Sequence, residues 1–119
     1  MLLQIDKKQM DPDITVLEFT GKISLGRESQ RIETMVNELL AQKVSKLIFD
    51  LSRVDYIDSA GLGIMTYCYG AMKTAGGTFR LAGANGRVLK LFQFTHLDSH
   101  FPFYSTVQAA CQDLGSQPS

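Results

Sequence analysis

The sequence carries no excess of charge of either sign. Twelve basic and twelve acidic side chains among its 119 residues give a formal net charge of zero at pH 7. Domains that bind nucleic acid usually display a basic stripe or patch, and the sequence contains no such stripe. The charge pattern therefore argues against nucleic acid as a partner.

Long apolar segments and cysteine motifs are also missing. No apolar run approaches the roughly 20 residues that a membrane-spanning helix needs, and the first residues lack the basic flank and apolar length of a signal peptide. Cys68 and Cys111 follow no metal-binding or redox spacing. We therefore expect a cytoplasmic protein with two reduced thiols, no metal, no cofactor and no direct insertion into a membrane.

What the chain does have is apolar residues in alternating strand and helix patterns. Apolar side chains make up 45% of the sequence, enough for the core of one small domain. The patterns predict the order β β α β α β α β α, with strands over residues 2–8, 14–19, 46–51, 78–82 and 101–104 and helices after Gly26 and over residues 59–75, 86–94 and 106–114. Strands that alternate with helices imply an α/β fold with a mainly parallel sheet.

The sequence also predicts several local features of this layout. The first two strands are expected to form a hairpin, and the second is expected to end at Gly21. The continuous apolar run over residues 46–51 predicts a central strand covered on both faces. We expect a single domain over residues 1–114 and a flexible tail over residues 115–119.

The most informative segment is VDYIDSAGLG at residues 54–63, between that central strand and the next helix. A turn is expected around Asp55, after which Asp58 and Ser59 both favour the N-cap of a helix. Gly61 and Gly63 are expected to leave the first helical turn bare, so that a second protein can approach its backbone. A phosphate on Ser59 would meet unpaired N–H groups and the positive end of the helix dipole. An ordinary helix cap explains the same residues without any phosphorylation of Ser59.

This segment resembles the signature of STAS domains, specifically that of the bacterial anti-sigma factor antagonists. The resemblance extends over nearly the whole chain and includes residues 19–23, residues 47–51, Gly76-Gly77 and the apolar positions Val88, Leu89 and Phe92. It implies a mixed, mainly parallel sheet with helices mostly packed on one side, which agrees with the order predicted above.

The resemblance also implies a partner-switching function without enzymatic activity. The unmodified antagonist would bind an anti-sigma factor that is a serine kinase and so release a sigma factor. The kinase would phosphorylate Ser59, and a phosphatase would remove the phosphate. The implied partner-binding residues are Lys22, Ser24, Asp58, Ser59, Ala60, Gly61, Leu62 and Gly63.

The chain departs from the family pattern at two of these positions. Ala60 stands where many members have Ser or Thr, which leaves Ser59 as the acceptor in the motif. Lys22 follows Gly21, where many members soon place an acidic residue. Two alternative functions stay open: a STAS subunit of an ABC-type lipid transport complex, in which Ser59 is structural, and a nucleotide-binding STAS module.

Other chemical motifs are incomplete in this sequence. Gly61-Leu62-Gly63 lacks the third glycine of a dinucleotide fingerprint, because Thr66 occupies that position. A nucleophile elbow requires glycine two residues before the serine, where this chain has Ile57. His96 and His100 have helical spacing for a metal, but a surface loop is the simpler interpretation. We therefore predict no catalytic residues.

Overall fold

The described part of the chain forms strands and helices in the order predicted from the sequence. A computed structural model describes residues 3–10, 13–24, 26–97 and 101–115. Its strands are β1 (Gln4–Met10), β2 (Ile14–Ile23), β3 (Lys46–Ile57), β4 (Thr78–Ala82) and β5 (Phe103–Tyr104). Its helices are α1 (Arg27–Ala41), α2 (Ser59–Thr74), α3 (Gly86–Phe94) and α4 (Val107–Gly115).

The strands form one mixed sheet in the order β1-β2-β3-β4-β5. β1 pairs antiparallel with β2, which confirms the predicted hairpin. The remaining pairs, β2 with β3, β3 with β4 and β4 with β5, are parallel. Parallel strands bring their carboxyl ends to the same edge of the sheet, so the segments that follow β2, β3 and β4 lie together.

The helices cover the two faces of this sheet unequally. The larger core cluster joins α1, α2 and α3 to one face, through residues such as Val36, Met65 and Phe92. A smaller cluster packs α4 on the opposite face, where Ala110 and Leu114 are buried. The expectation of helices mostly on one side is confirmed. In the described residues no helix is long and apolar enough to cross a bilayer.

β3 is covered on both faces, as its continuous apolar run predicts. Leu47, Phe49 and Leu51 belong to the larger core cluster, and Ile48 belongs to the smaller one. The ring centroid of Phe49 lies 4.8 Å from those of both Phe19 and Phe79, in edge-to-face geometry. These contacts fix β3 in the middle of the core.

Two strands are longer than their sequence patterns predict. β2 does not end at Gly21: it continues to Ile23, because Gly21 adopts a φ of 113° beside an irregularity in the strand register. The predicted turn around Asp55 is also wrong. Residues 53–57 continue β3 because they pair with the extension of β2 and because Val54 and Ile57 are buried.

Smaller differences lie at the ends of the chain. Thr106 is not the first helical residue of α4 but precedes it, and its Oγ1 accepts a hydrogen bond from the Ala109 N–H at 3.0 Å. Gly115, expected in the tail, ends α4, and residues 116–119 lie outside the described residues. His100 lies outside them as well, whereas His96 follows α3 in a left-handed conformation with φ 62°.

The two thiols have different environments, which predicts different reactivity. Cys68 is fully buried on α2, and burial, with a smaller contribution from Glu33, raises the pKa of its thiol to about 12. Cys111 is partly exposed. Because the thiolate is the reactive form, iodoacetamide at pH 8 should label Cys111 and leave Cys68 unlabelled until the protein is unfolded. Peptide mass spectrometry checks this, and equal labelling of both thiols in the native protein would contradict it.

Candidate functional site at the start of helix α2

The candidate site lies at the sheet edge where β3 ends and α2 begins. Asp58 alone separates the two elements. Its N–H donates to the Ile23 carbonyl at 3.2 Å, which ties the start of α2 to the end of β2. The extended β2 and β3 therefore position the helix terminus rigidly.

The side chain of Asp58, and not that of Ser59, caps α2. Asp58 has extended backbone angles, and its Oδ1 accepts a hydrogen bond from the Gly61 N–H at 2.8 Å. Its carbonyl accepts the Leu62 N–H at 2.9 Å, the first bond of the helix. Ser59 is consequently the first helical residue, and its side chain is left for other interactions.

Ser59 is exposed, and its hydroxyl makes no hydrogen bond to the residues that the structure describes. Of the N–H groups around this terminus, those of Asp58 and Gly61 are bonded to protein oxygens. The N–H groups of Ser59 and Ala60 have no acceptor within the described residues. The helix terminus therefore offers two backbone donors and its positive dipole end beside a free hydroxyl.

The glycines of the motif have opposite roles. Gly61 is buried, and a Cβ there would lie 2.5 Å from Ile57 Cγ1 and 2.7 Å from the Ile23 carbonyl oxygen. The expectation that Gly61 exposes the backbone of the first helical turn to a partner is thus wrong, because the atoms that lie close to Gly61 belong to the protein's own strands. Gly63 is exposed and does leave open surface, since a Cβ there would meet no described atom within 4 Å beyond its own helix backbone. Leu62 is buried, with 6% of its surface exposed.

The ends of β2 and β3 add a charged and aromatic cluster to this edge. Lys22 Nζ lies 3.7 Å from Asp55 Oδ1 and 5.3 Å from the ring centroid of Tyr56. Tyr56 is 40% exposed, which is high for a large aromatic side chain, and Ser24 is half-buried. Tyr56 and Asp55 were not predicted as site residues, although alternation along an extended β3 would have placed Tyr56 outward, opposite its buried neighbour Ile57.

A polar cleft of about 490 Å³ opens beside this cluster. It is lined by the ends of β2 and β3 and by the first residues of α3, and its charged side chains are the basic Lys22, Arg53 and Arg87 and the carboxylate of Asp55. The side chain of Asn85 donates to the Gly83 carbonyl at 2.8 Å and does not cap α3. The cleft is therefore basic and adjoins a second helix N-terminus.

Comparison with known proteins assigns this chain to a family. A family model described as the STAS domain matches residues 6–110. The chain belongs to the STAS family. Within it, the anti-sigma-B factor antagonist of Bacillus subtilis strain 168 is 32% identical over 97 residues, which cover 82% of this chain and 86% of that protein. This STAS domain is thus a member of the anti-sigma factor antagonist family.

Solved structures agree with this STAS assignment at the level of the fold. An anti-sigma factor antagonist from Mycobacterium paratuberculosis has a TM-score of 0.79 at 24% identity, covering 94% of this chain and 93% of that one. The Bacillus cell fate determinant SpoIIAA in its phosphorylated form has a TM-score of 0.74 at 17% identity, covering 93% and 99% of the two chains.

The capping role of Asp58 leads to a stability prediction. Asp58→Ala removes the acceptor of the Gly61 N–H, so it should lower the free energy of unfolding by about 1 kcal/mol. Ser59→Ala removes no cap and should change the free energy of unfolding by less than about 0.5 kcal/mol. Urea unfolding of the two variants beside the wild type measures the difference. A larger loss for Ser59→Ala than for Asp58→Ala would show that the cap is assigned to the wrong side chain.

Proposed function

We propose that this protein is an anti-sigma factor antagonist that works by partner switching. In its unmodified form it binds an anti-sigma factor of the serine kinase type, and a sigma factor is released. The kinase phosphorylates Ser59, which ends the interaction, and a phosphatase resets the switch. The observation that carries this proposal is the exposed, unbonded hydroxyl of Ser59 on the first residue of α2.

The local geometry supports both the phosphorylation of Ser59 and the loss of partner binding that would follow from it. Side chains on a helix lean towards its N-terminus, so a phosphate on Ser59 would lie near the free N–H groups of Ser59 and Ala60 and the positive dipole end. It would add about −1.5 to −2 charges. That charge would lie next to Asp58, on a surface that a partner has to desolvate. A loss of binding free energy of about 3 kcal/mol would reduce affinity roughly 100-fold.

The contact surface in this proposal is the exposed part of the edge around Ser59. Ser59, Gly63, Lys22 and Tyr56 would contact the partner directly, with Asp58, Ala60 and Ser24 at their margins. Gly61 and Leu62 would shape this surface from beneath, because both are buried. The protein would act in the cytoplasm by binding alone, without catalysing a reaction of its own.

Mass spectrometry of the protein isolated from its own organism is the first test. Phosphopeptide mapping under several growth conditions should find phosphate on Ser59. Tagged wild-type protein and Ser59→Ala should both capture the anti-sigma factor kinase, and the phosphorylated form should not. If Ser59 stayed unmodified in every condition and the captured proteins belonged to an ABC-type transporter, the transport-subunit alternative would replace this proposal.

The basic cleft favours nucleotide binding as a second candidate function. Lys22, Arg53 and Arg87 line it beside the α3 N-terminus, and this combination suits phosphate groups. Calorimetric titration with ATP and GTP tests it, with Arg53→Ala and Arg87→Ala expected to weaken binding at least tenfold. Absence of saturable heat with either nucleotide would exclude this candidate without affecting the partner-switching proposal.

A further inference from the structure

Helix α3 presents a mixed apolar and basic face to solvent. Arg87, Lys90, Leu91 and Phe94 recur at helical spacing on one side of it, and with Gln93 they line an open depression of about 610 Å³. We call these residues the α3 face. Phe94 is 84% exposed, whereas Phe92 on the inner side of the same helix is fully buried.

Phe94 is held outward by the way α3 ends. The Thr95 hydroxyl donates to the Leu91 carbonyl at 2.8 Å, and the Leu97 N–H donates to the Phe92 carbonyl at 2.8 Å. Leu97 packs against the core just after the helix. These bonds fix the last turn of α3, so the phenyl ring of Phe94 cannot rotate into the interior. Together with the half-buried Leu91 one turn before it, Phe94 forms a continuous apolar surface in the depression, and such exposed apolar patches are typical of binding surfaces.

The charged side chains that line this depression have the same sign. They are Arg87 and Lys90, and Arg87 also lines the neighbouring cleft together with Asp55, which lies 3.7 Å from Lys22. Neither Arg87 nor Lys90 forms an ion pair within the described residues. The α3 face therefore has an apolar centre and a border of two basic side chains that form no ion pair with the described residues.

We propose that the α3 face is a docking surface for an acidic segment of a partner protein. An apolar side chain of that segment packs against Leu91 and Phe94, and its carboxylates pair with Arg87 and Lys90. A membrane is the less suitable occupant, because one aromatic and two basic side chains on a nine-residue helix provide little of the apolar area and charge that interfacial helices use. Docking at the α3 face does not depend on Ser59, so this proposal is independent of the partner-switching proposal.

Two synthetic peptides of equal length test this surface on the full chain. In the first peptide, Leu and Phe recur at helical spacing and Glu occupies positions between them. In the second peptide, every Glu is replaced by Lys. In NMR titrations of ¹⁵N-labelled protein, the acidic peptide should shift the amide signals of residues 86–95, more weakly at high salt. The Phe94→Ser variant and the Arg87→Glu/Lys90→Glu double variant should weaken its binding at least tenfold. Lys43→Glu, which removes an exposed cation outside the face, should leave it unchanged.

Three outcomes would overturn the proposal. The first is equal binding of the basic peptide, and the second is binding of the acidic peptide that is insensitive to the α3 variants. The third is Phe94-dependent sedimentation with phosphatidylserine vesicles together with no peptide binding, which would make a membrane the occupant. Ser59→Asp should bind the acidic peptide as the wild type does. Failure of the docking proposal can therefore be distinguished from failure of the partner-switching proposal.

Discussion

Ser59→Asp should weaken binding to the anti-sigma factor kinase by roughly 100-fold, about 3 kcal/mol, without unfolding the protein. The variant places a carboxylate on the exposed first residue of α2, within the surface that the partner would cover. A desolvated or like-charged contact there costs several kcal/mol. The fold should keep its stability, because a negative charge in the first turn of a helix is favourable. Calorimetric titration with the purified kinase measures the loss, and thermal unfolding checks the fold.

A matched control distinguishes an effect of the negative charge at Ser59 from an effect of added negative charge elsewhere on the protein. Ser45→Asp adds the same charge at an exposed site before β3, at the opposite edge of the sheet, and should bind the kinase as the wild type does. Ser59→Ala should also bind normally and should resist phosphorylation. Equal affinity of Ser59→Asp and the wild type, or an unfolded Ser59→Asp protein, would count against the switch.

Gly61→Ala should destabilise the protein by about 2–3 kcal/mol and lower its Tm by roughly 10 °C. The added methyl group would lie 2.7 Å from the Ile23 carbonyl oxygen and 2.5 Å from Ile57 Cγ1. The backbone of β2 cannot yield without breaking the bond from the Asp58 N–H to the same carbonyl. Differential scanning calorimetry measures the change, and kinase binding should fall as the start of α2 is displaced.

Gly63→Ala is the control on the same helix. Its Cβ would meet no described atom within 4 Å beyond the helix's own backbone, and alanine is favoured over glycine inside a helix by about 1 kcal/mol. The variant should therefore be as stable as the wild type or slightly more stable. A similar loss of stability in both variants would show that the tight contact at Gly61 is not the cause. Reduced kinase binding by a stable Gly63→Ala would instead place Gly63 within the contact surface.

The sequence by itself determined the order of the elements and the central position of β3. Both follow from local patterns: helical spacing of apolar residues, and a continuous apolar run at residues 46–51 that is buried on both faces. The sequence also predicted the start of α2, because Asp58 and Ser59 both favour the N-cap and stand where the apolar helical pattern begins. Each of these signals lies within one short segment and needs no knowledge of distant residues.

Only the tertiary structure decided the details of the site. The extension of β3 through Asp55 depends on pairing with the end of β2, from which it is separated in the sequence by the whole of α1. The burial of Gly61 depends on Ile23 of that strand. The basic cleft combines Lys22, Arg53 and Arg87 from three separate segments. These features arise from long-range pairing, which leaves no periodic pattern in the local sequence.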